Sequence, residues 1–151
     1  MNIKIALLGG LAFYAVQFIV GMGTAPFIHE GVLEPLYIAN AEFWRPELNQ
    51  DPPDMAALMP RWITVGIIMS IIMAGIYSFL RGAFSGAAWL KGAKFGLMLT
   101  VMTACWSAAW SGIFNLPDAI WFWWTAESLL YYVIGGAALG FVAEKLAPEN
   151  A

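Results

Sequence analysis

The sequence predicts an all-α integral membrane protein with four transmembrane helices. Three long stretches, residues 5–27, 62–80 and 95–117, contain no Asp, Glu, Lys, Arg or His, and residues 119–143 contain only Glu127. Hydrophobic residues make up 61% of the chain and charged residues 11%, whereas soluble domains average about 25% charged residues. Since roughly 20 residues of helix cross the hydrocarbon core of a bilayer, each stretch is long enough to span it.

These stretches are predicted to be helices that form one membrane domain, residues 1–151. Only helices and closed barrels satisfy every backbone polar group inside lipid. Barrel strands alternate lipid-facing and lumen-facing residues in segments of about ten, and the apolar runs here are too long and too even for that pattern. The predicted spans cover about residues 4–26, 61–81, 93–114 and 119–144, with an outer loop at 27–60.

The outer loop contains an apolar stripe at helical spacing. Its members are Leu33, Leu36, Tyr37, Ala41 and Trp44. This pattern predicts a short amphipathic helix on the membrane surface or over the bundle. Because the polar side carries Glu34 and Glu42 where lipid-binding helices carry Lys and Arg, a cap or a docking surface is favoured. Asp51-Pro52 has the pattern of an N-cap followed by a first-turn proline, so the second long helix is expected to begin there.

Lysine and arginine predict the orientation, since cytoplasmic segments are enriched in both. One side of a four-pass chain carries five basic residues, which are Lys4, Arg81, Lys91, Lys94 and Lys145. The other side has two basic residues, Arg45 and Arg61, and six acids between residues 30 and 54. Both termini are therefore predicted to be cytoplasmic and loop 27–60 periplasmic, in a bacterial inner membrane.

Glu127 is the one acidic or basic residue within these apolar stretches. At 1.5 Å per residue it lies about 12 Å inside its predicted span. Counting to a similar depth in the other spans reaches Gln17, Ser70, Thr103 and Ser107. These five residues are predicted to form a buried polar layer.

The polar layer has a structural and a functional interpretation. In the structural one, Glu127 is a neutral acid that fixes the register of the helices through interhelical hydrogen bonds, worth roughly 0.6–2 kcal/mol each. In the functional one, Glu127 is a proton or cation site that is open to the outer side, because ionisable groups inside membrane spans often mark transport pathways. The sequence alone leaves both interpretations open.

Small residues four positions apart predict where helices pack closely. The pairs are Gly92 and Gly96, Gly136 and Gly140, and Ser107 and Ser111. Such surfaces let two backbones approach, either within this chain or between subunits. They carry no chemical information.

One further cluster, His29, Glu30 and Glu34, lies in the outer loop. Glu30 and Glu34 are one helical turn apart, but Pro35 disturbs that geometry. Zinc sites use three or four protein ligands, and the chain has a single His and a single Cys. No metal site is therefore predicted, and a solvated loop is the structural interpretation of the cluster.

Several function classes are excluded by composition. One histidine cannot supply a bis-His haem site, and one cysteine cannot supply a redox pair. The net charge of −3 and the acidic loop disfavour nucleic acid. We therefore predict no enzyme and no cofactor, with membrane lipids and other integral membrane subunits, or further copies of the chain, as partners.

Three functions fit these observations. The favoured one is a small accessory or structural subunit of a larger inner-membrane complex. The second is a homo-oligomeric, proton-coupled transporter that uses Glu127. The third is a lipid- or pigment-binding subunit lined by Trp106, Trp110, Tyr131 and Tyr132.

Overall fold

The regular structure of the described chain is entirely helical. The computed structural model describes residues 1–148, so the last three residues of the predicted domain lie outside the description. No strand occurs in that range. The α-helices are α1 (Gly10–Phe27), α2 (Glu34–Ala39), α3 (Met55–Leu80), α4 (Ala88–Ser111) and α5 (Asp118–Leu146).

Helices that could span a membrane are found at three of the four predicted positions. Among residues 1–148, the helical segments Ile5–Val32, Met55–Ala83 and Asp118–Leu146 are long and apolar enough to cross a membrane. The fourth predicted span is α4, which has 24 residues and is long enough at about 36 Å. Its lysines, glycines and hydroxyl residues make it less apolar than the other three.

α1 is extended at both ends by turns of π-helix, at Ile5–Gly9 and Ile28–Val32. The helical chain therefore passes through Pro26 and continues to Val32, beyond the predicted end of the first span near residue 26. Proline removes a backbone donor from a helix, and the wider turn that follows keeps the chain helical. The Leu33 amide donates to the Ile28 carbonyl at 2.8 Å, which is the i→i+5 spacing of a π turn.

The loop between α1 and α3 is folded onto the helix ends. It contains α2 and two 3₁₀ turns, Ala41–Phe43 and Pro46–Asn49. Its apolar side meets α5, where Ile28, Leu33 and Ile120 are buried together. We call this end of the bundle the loop end.

α3 begins later than the sequence indicated. Asp54 is its N-cap, and the carboxylate of this residue accepts a hydrogen bond from the Ala57 amide at 3.1 Å. The predicted start at Asp51-Pro52 is therefore wrong by about one helical turn. Asp51 and Asp54 both offer a carboxylate that could cap a helix. Asp51 is followed by two prolines, which have no backbone N–H to donate, whereas Asp54 is followed by residues that do.

The long helices pack in the order α3, α1, α5, α4. The closest seam joins α4 to α5, where Gly92 and Gly96 face Gly136 and Gly140. A Cβ atom on any of these glycines would overlap the backbone of the facing helix. Glycine is needed here for close approach of two backbones.

At the end opposite the loop, all four long helices contribute to one apolar core. Its buried members are Ile5, Phe13, Ala74, Tyr77, Phe95, Leu99, Leu139 and Ala143. α3 reaches α4 here, since the rings of Tyr77 and Phe95 lie 5.3 Å apart between centroids. The bundle is thus closed by small and apolar residues at this end and by the folded loop at the other.

Candidate functional site

Glu127 is paired at the loop end with the single histidine of the chain. The Glu127 residue is 7% exposed, and its Oε2 atom lies 3.0 Å from Nε2 of His29. About 33% of the His29 side chain is exposed. The π turn Ile28–Val32 carries His29, and α5 carries Glu127, so this contact joins the end of α1 to the interior of α5.

Thr24 holds the second oxygen of the carboxyl group. Its hydroxyl is hydrogen-bonded to Glu127 Oε1. The same hydroxyl also lies 3.2 Å from the Val20 carbonyl and 3.1 Å from the Gly21 carbonyl. A threonine hydroxyl has one proton and two lone pairs, so it donates to only one of these acceptors at a time.

Because Thr24 has several acceptors within reach, the Glu127 carboxyl group is hydrogen-bonded in either protonation state. When the carboxyl is ionised, Thr24 donates its proton to Oε1. When the carboxyl is protonated at Oε1, it donates to the Thr24 oxygen, and Thr24 donates to a backbone carbonyl in α1. A proton can therefore arrive and leave without stranding a buried polar group, which would cost about 1–3 kcal/mol.

Tyr37 of α2 orients the histidine from its other side. The Tyr37 hydroxyl lies 2.8 Å from His29 Nδ1, and the Trp124 indole N–H donates to the same oxygen at 2.9 Å. Burial, the largest cause, raises the pKa of the Tyr37 phenol above its ordinary value, and the bond from Trp124 opposes this in part. The phenol therefore stays protonated at neutral pH. When neutral His29 carries its proton on Nε2, Tyr37 donates to Nδ1 and His29 donates to Glu127.

The loop is fixed to this network by a second indole. Trp44 donates its indole N–H to the Tyr37 carbonyl at 2.9 Å, and its ring packs against Tyr37 with centroids 5.1 Å apart. Trp44 also contacts the ring of Trp124, at 6.1 Å between centroids. α2 and the first 3₁₀ turn thus cover the His29–Glu127 pair.

Glu127 also lines a cleft of about 440 Å³ between α4 and α5. Six aromatic rings and three polar residues line it. They are Trp106, Trp110, Phe114, Trp121, Trp124 and Tyr131, with Thr103, Ser107 and Glu127. Glu127 therefore belongs both to the cleft and to the hydrogen-bonded chain that leads to the partly exposed His29.

The structure brings part of the predicted polar layer together. Thr103, Ser107 and Glu127 share the cleft, whereas Ser70 is buried in α3. Gln17 packs beside Gly135, about two turns along α5 from Glu127. The Gln17 amide nitrogen is buried and has no hydrogen-bond partner among the described residues.

The displacement of Gln17 has a simple cause. Depth in the first span was counted back from Pro26, but the helical chain continues to Val32. The residue of α1 at the depth of Glu127 is therefore Thr24, about two turns closer to the C-terminal end of the helix than Gln17. Thr24 and Tyr37 are the partners that sequence reasoning missed.

The other predicted residues are distributed along the chain. His29 takes part in the site, but Glu30 and Glu34 are exposed. Within residues 1–148, no group of three or more His, Cys, Asp and Glu side chains could hold a metal ion. Ser111 donates to the Ala108 carbonyl of its own helix at 3.0 Å, while the four predicted packing glycines lie in the α4–α5 seam.

The pairing predicts a clear stability difference between two neighbouring residues. We expect His29→Ala to lower the free energy of unfolding by about 1–3 kcal/mol, because a buried carboxyl oxygen loses its partner. The exposed Glu30 is the matched control, and Glu30→Ala should change that free energy by less than about 0.5 kcal/mol. Denaturant unfolding in detergent, followed by tryptophan fluorescence, measures both. Equal effects of the two substitutions would contradict the pairing.

Comparison with known proteins adds no functional assignment. The chain matches no protein-family model, and searches of curated proteins and of solved structures gave no match. Its function is therefore inferred from the residues at the loop end.

Proposed function

We propose that this chain is a small, non-catalytic subunit of a larger inner-membrane assembly and that it binds a membrane-soluble ligand at its loop end. The observation that carries the proposal is the cleft between α4 and α5, which is lined by six aromatic residues together with Glu127. Ligand sites are typically apolar clefts with a few placed polar groups, and their volumes run from roughly 300 to 1,000 Å³. A cleft of about 440 Å³ falls in that range.

A lipid or a pigment is the class of ligand that such a cleft favours. Two of the lining side chains, Trp106 and Trp110, are exposed and half-exposed respectively. In a bilayer they would contact acyl chains and lipophilic rings rather than water. Aromatic pairs gain about 0.5–1.5 kcal/mol beyond simple area burial. A ligand with a ring or a conjugated chain therefore gains more in this cleft than a saturated chain does.

The same proposal includes four membrane crossings, with α4 as the fourth. The α4–α5 seam supports this, because close packing along α5 places α4 at the same depth as a helix that is apolar enough to span. The distribution of Lys and Arg supports cytoplasmic termini and a periplasmic loop 27–60 in a bacterial inner membrane. α2 and its neighbouring 3₁₀ turns then form an amphipathic cap on the periplasmic side.

This topology predicts opposite labelling of two positions. In a Cys105→Ser background, a membrane-impermeant thiol reagent added to intact cells should label Asn49→Cys and leave Ser85→Cys unlabelled until the membrane is opened. Both residues are exposed in the structure, so a difference between them reports the side of the membrane rather than burial. Labelling of Ser85→Cys in intact cells would overturn the orientation.

The ligand-binding proposal predicts that the protein retains a lipid or pigment through mild purification. Mass spectrometry of the native particle measures the retained molecule and any partner subunits together. Trp110→Leu removes one ring of the cleft and should lower the retained amount about two- to tenfold. Trp89→Leu is the matched control, since Trp89 is exposed at the start of α4 and lies outside the cleft.

Two results would count against this proposal. A wild-type protein with no retained lipid or pigment, both in mild detergent and in native membrane discs, would remove the binding function. A particle that contains this chain alone in both preparations would remove the role as a subunit of a larger assembly.

Proton-coupled transport is the second candidate, and the arrangement of Thr24 favours it. Because Thr24 has alternative acceptors in α1, Glu127 can gain or lose a proton with its hydrogen bonds maintained. His29 connects the carboxyl to the partly exposed outer surface of the site. A homo-oligomer of the chain would use Glu127 as the exchange site.

Proton flux into lipid vesicles tests this candidate. Vesicles that contain the wild-type protein and a pH-sensitive dye should acidify under an imposed membrane potential. Glu127→Gln should slow the acidification at least about tenfold, because a side-chain amide does not gain or lose a proton near neutral pH. Ser70→Ala, a buried change in α3 away from the cleft, should leave the rate unaltered. Absence of flux in the wild type would eliminate transport, and unaltered flux in Glu127→Gln would eliminate Glu127 as its site.

A further inference from the structure

We infer that the ligand of the α4–α5 cleft is a ring-bearing lipid with free hydroxyl groups, of the phenol or quinol type. This inference rests on the proposed ligand-binding function and specifies its chemistry. It follows from three properties of the cleft: its aromatic walls, the hydrogen-bonding capacity that remains unused on its polar residues, and its size.

The aromatic walls select a planar group. On α4, the rings of Trp106 and Trp110 lie 5.5 Å apart between centroids, and the ring of Phe114, in the turn after α4, lies 5.1 Å from that of Trp110. Across the turn to α5, Phe114 and Trp121 are stacked with an interplanar angle of 27°. Rings in such arrays present faces and edges that favour a further ring, in offset or edge-to-face contact, over a saturated chain.

Glu127 provides the acceptor for a ligand hydroxyl. Each oxygen of its carboxylate already accepts one hydrogen bond, Oε1 from Thr24 and Oε2 from His29. An ionised carboxylate has about four acceptor positions, so lone pairs remain after both contacts. Since Glu127 lines the cleft, a ligand O–H can donate to it there.

Two hydroxyl residues provide donors to the same ligand. Ser107 accepts a hydrogen bond from the Thr125 hydroxyl at 3.2 Å, which leaves the proton of Ser107 to be donated elsewhere. Among the residues that the structure describes, no acceptor takes the proton of Ser107 or Thr103. Both residues line the cleft with Glu127. A ligand that donates one hydrogen bond and accepts others matches this set, and a hydroxylated ring does both.

The size of the cleft limits how much of the ligand it encloses. A volume of about 440 Å³ lies in the lower part of the range for small-molecule sites, roughly 300–1,000 Å³. One substituted ring and the first carbons of a tail fill such a space. The tail itself continues along the exposed apolar surface of α4, where Met102 and Trp106 are more than 60% exposed.

Two probes that differ only in their hydroxyl groups test the inference. They are a decyl-substituted benzoquinol, kept under argon, and its dimethyl ether. Binding to the full-length protein in lipid discs is followed by quenching of tryptophan fluorescence. The quinol should bind at least about tenfold more tightly than the ether, because the ether cannot donate a hydrogen bond to a charged acceptor.

Glu127→Gln, which preserves the shape of the side chain, should reduce this ratio to about threefold. The reason is that a charge-assisted hydrogen bond is roughly twice as strong as a neutral one. Halving the free-energy difference between the two probes reduces their affinity ratio to its square root. Ser70→Ala should leave the ratio at its wild-type value. A ratio in Glu127→Gln equal to that of the wild type would overturn the assignment of Glu127 as the acceptor.

The remaining outcomes separate the inference from the proposal beneath it. Equal affinity of the two probes for the wild-type protein would overturn the hydroxyl requirement and leave the cleft as a ligand site. Absence of quenching by either probe would overturn the inference and count against ligand binding in the cleft as well.

Discussion

The pairing of one buried carboxyl group determines the arrangement of the loop end. A carboxyl group removed from water must be hydrogen-bonded or neutralised, since an unpaired one costs several kcal/mol. In this chain Glu127 is satisfied from a different helix, by Thr24 and His29. Those contacts hold the end of α1 against α5, and through Tyr37 they hold the loop in place. The candidate site and the cap are therefore consequences of the same electrostatic requirement.

The two halves of the α4–α5 interface differ in the size of the side chains that line them. Near the chain termini, Gly92 and Gly136 let the backbones touch, which leaves no space between the helices. Toward the loop end the two helices carry large aromatic residues instead, and these line the cleft together with Thr103, Ser107 and Glu127. One helix pair therefore contains both a close glycine contact and an aromatic cleft.

The sequence was sufficient for the helical class and for three helices long and apolar enough to cross a membrane, because the apolar stretches and the bilayer thickness leave few alternatives. It was less informative about which residues lie at the depth of Glu127 and which of them bond to it. Depth counted from residue 26, the predicted end of the first span, places Gln17 at the level of Glu127, but the helical chain continues to Val32. The pairing with His29 could have been suspected from composition, since the chain has a single histidine and Glu127 is the single acid within its apolar stretches. Nothing in the composition points to Thr24.

Tyr37 could not be assigned in advance for a different reason. Its position in the apolar stripe of the loop indicated packing, and it does pack, against Trp44. The contribution of its hydroxyl depends on how the loop folds back over α5, which involves residues distant in the chain. The aromatic cleft depends in the same way on tertiary packing, although Trp106, Trp110 and Tyr131 were already considered as a lining.

The continuous helical path from Thr24 to His29 makes the His29–Glu127 contact sensitive to insertions and deletions. Each residue advances an α-helix by about 100° around its axis, so loss of a single residue between Thr24 and His29 would carry the imidazole to another face of α1. The amino-acid composition and the total apolarity of the segment would hardly change. A search for proteins with the same site should therefore require conserved spacing between threonine and histidine as well as their presence.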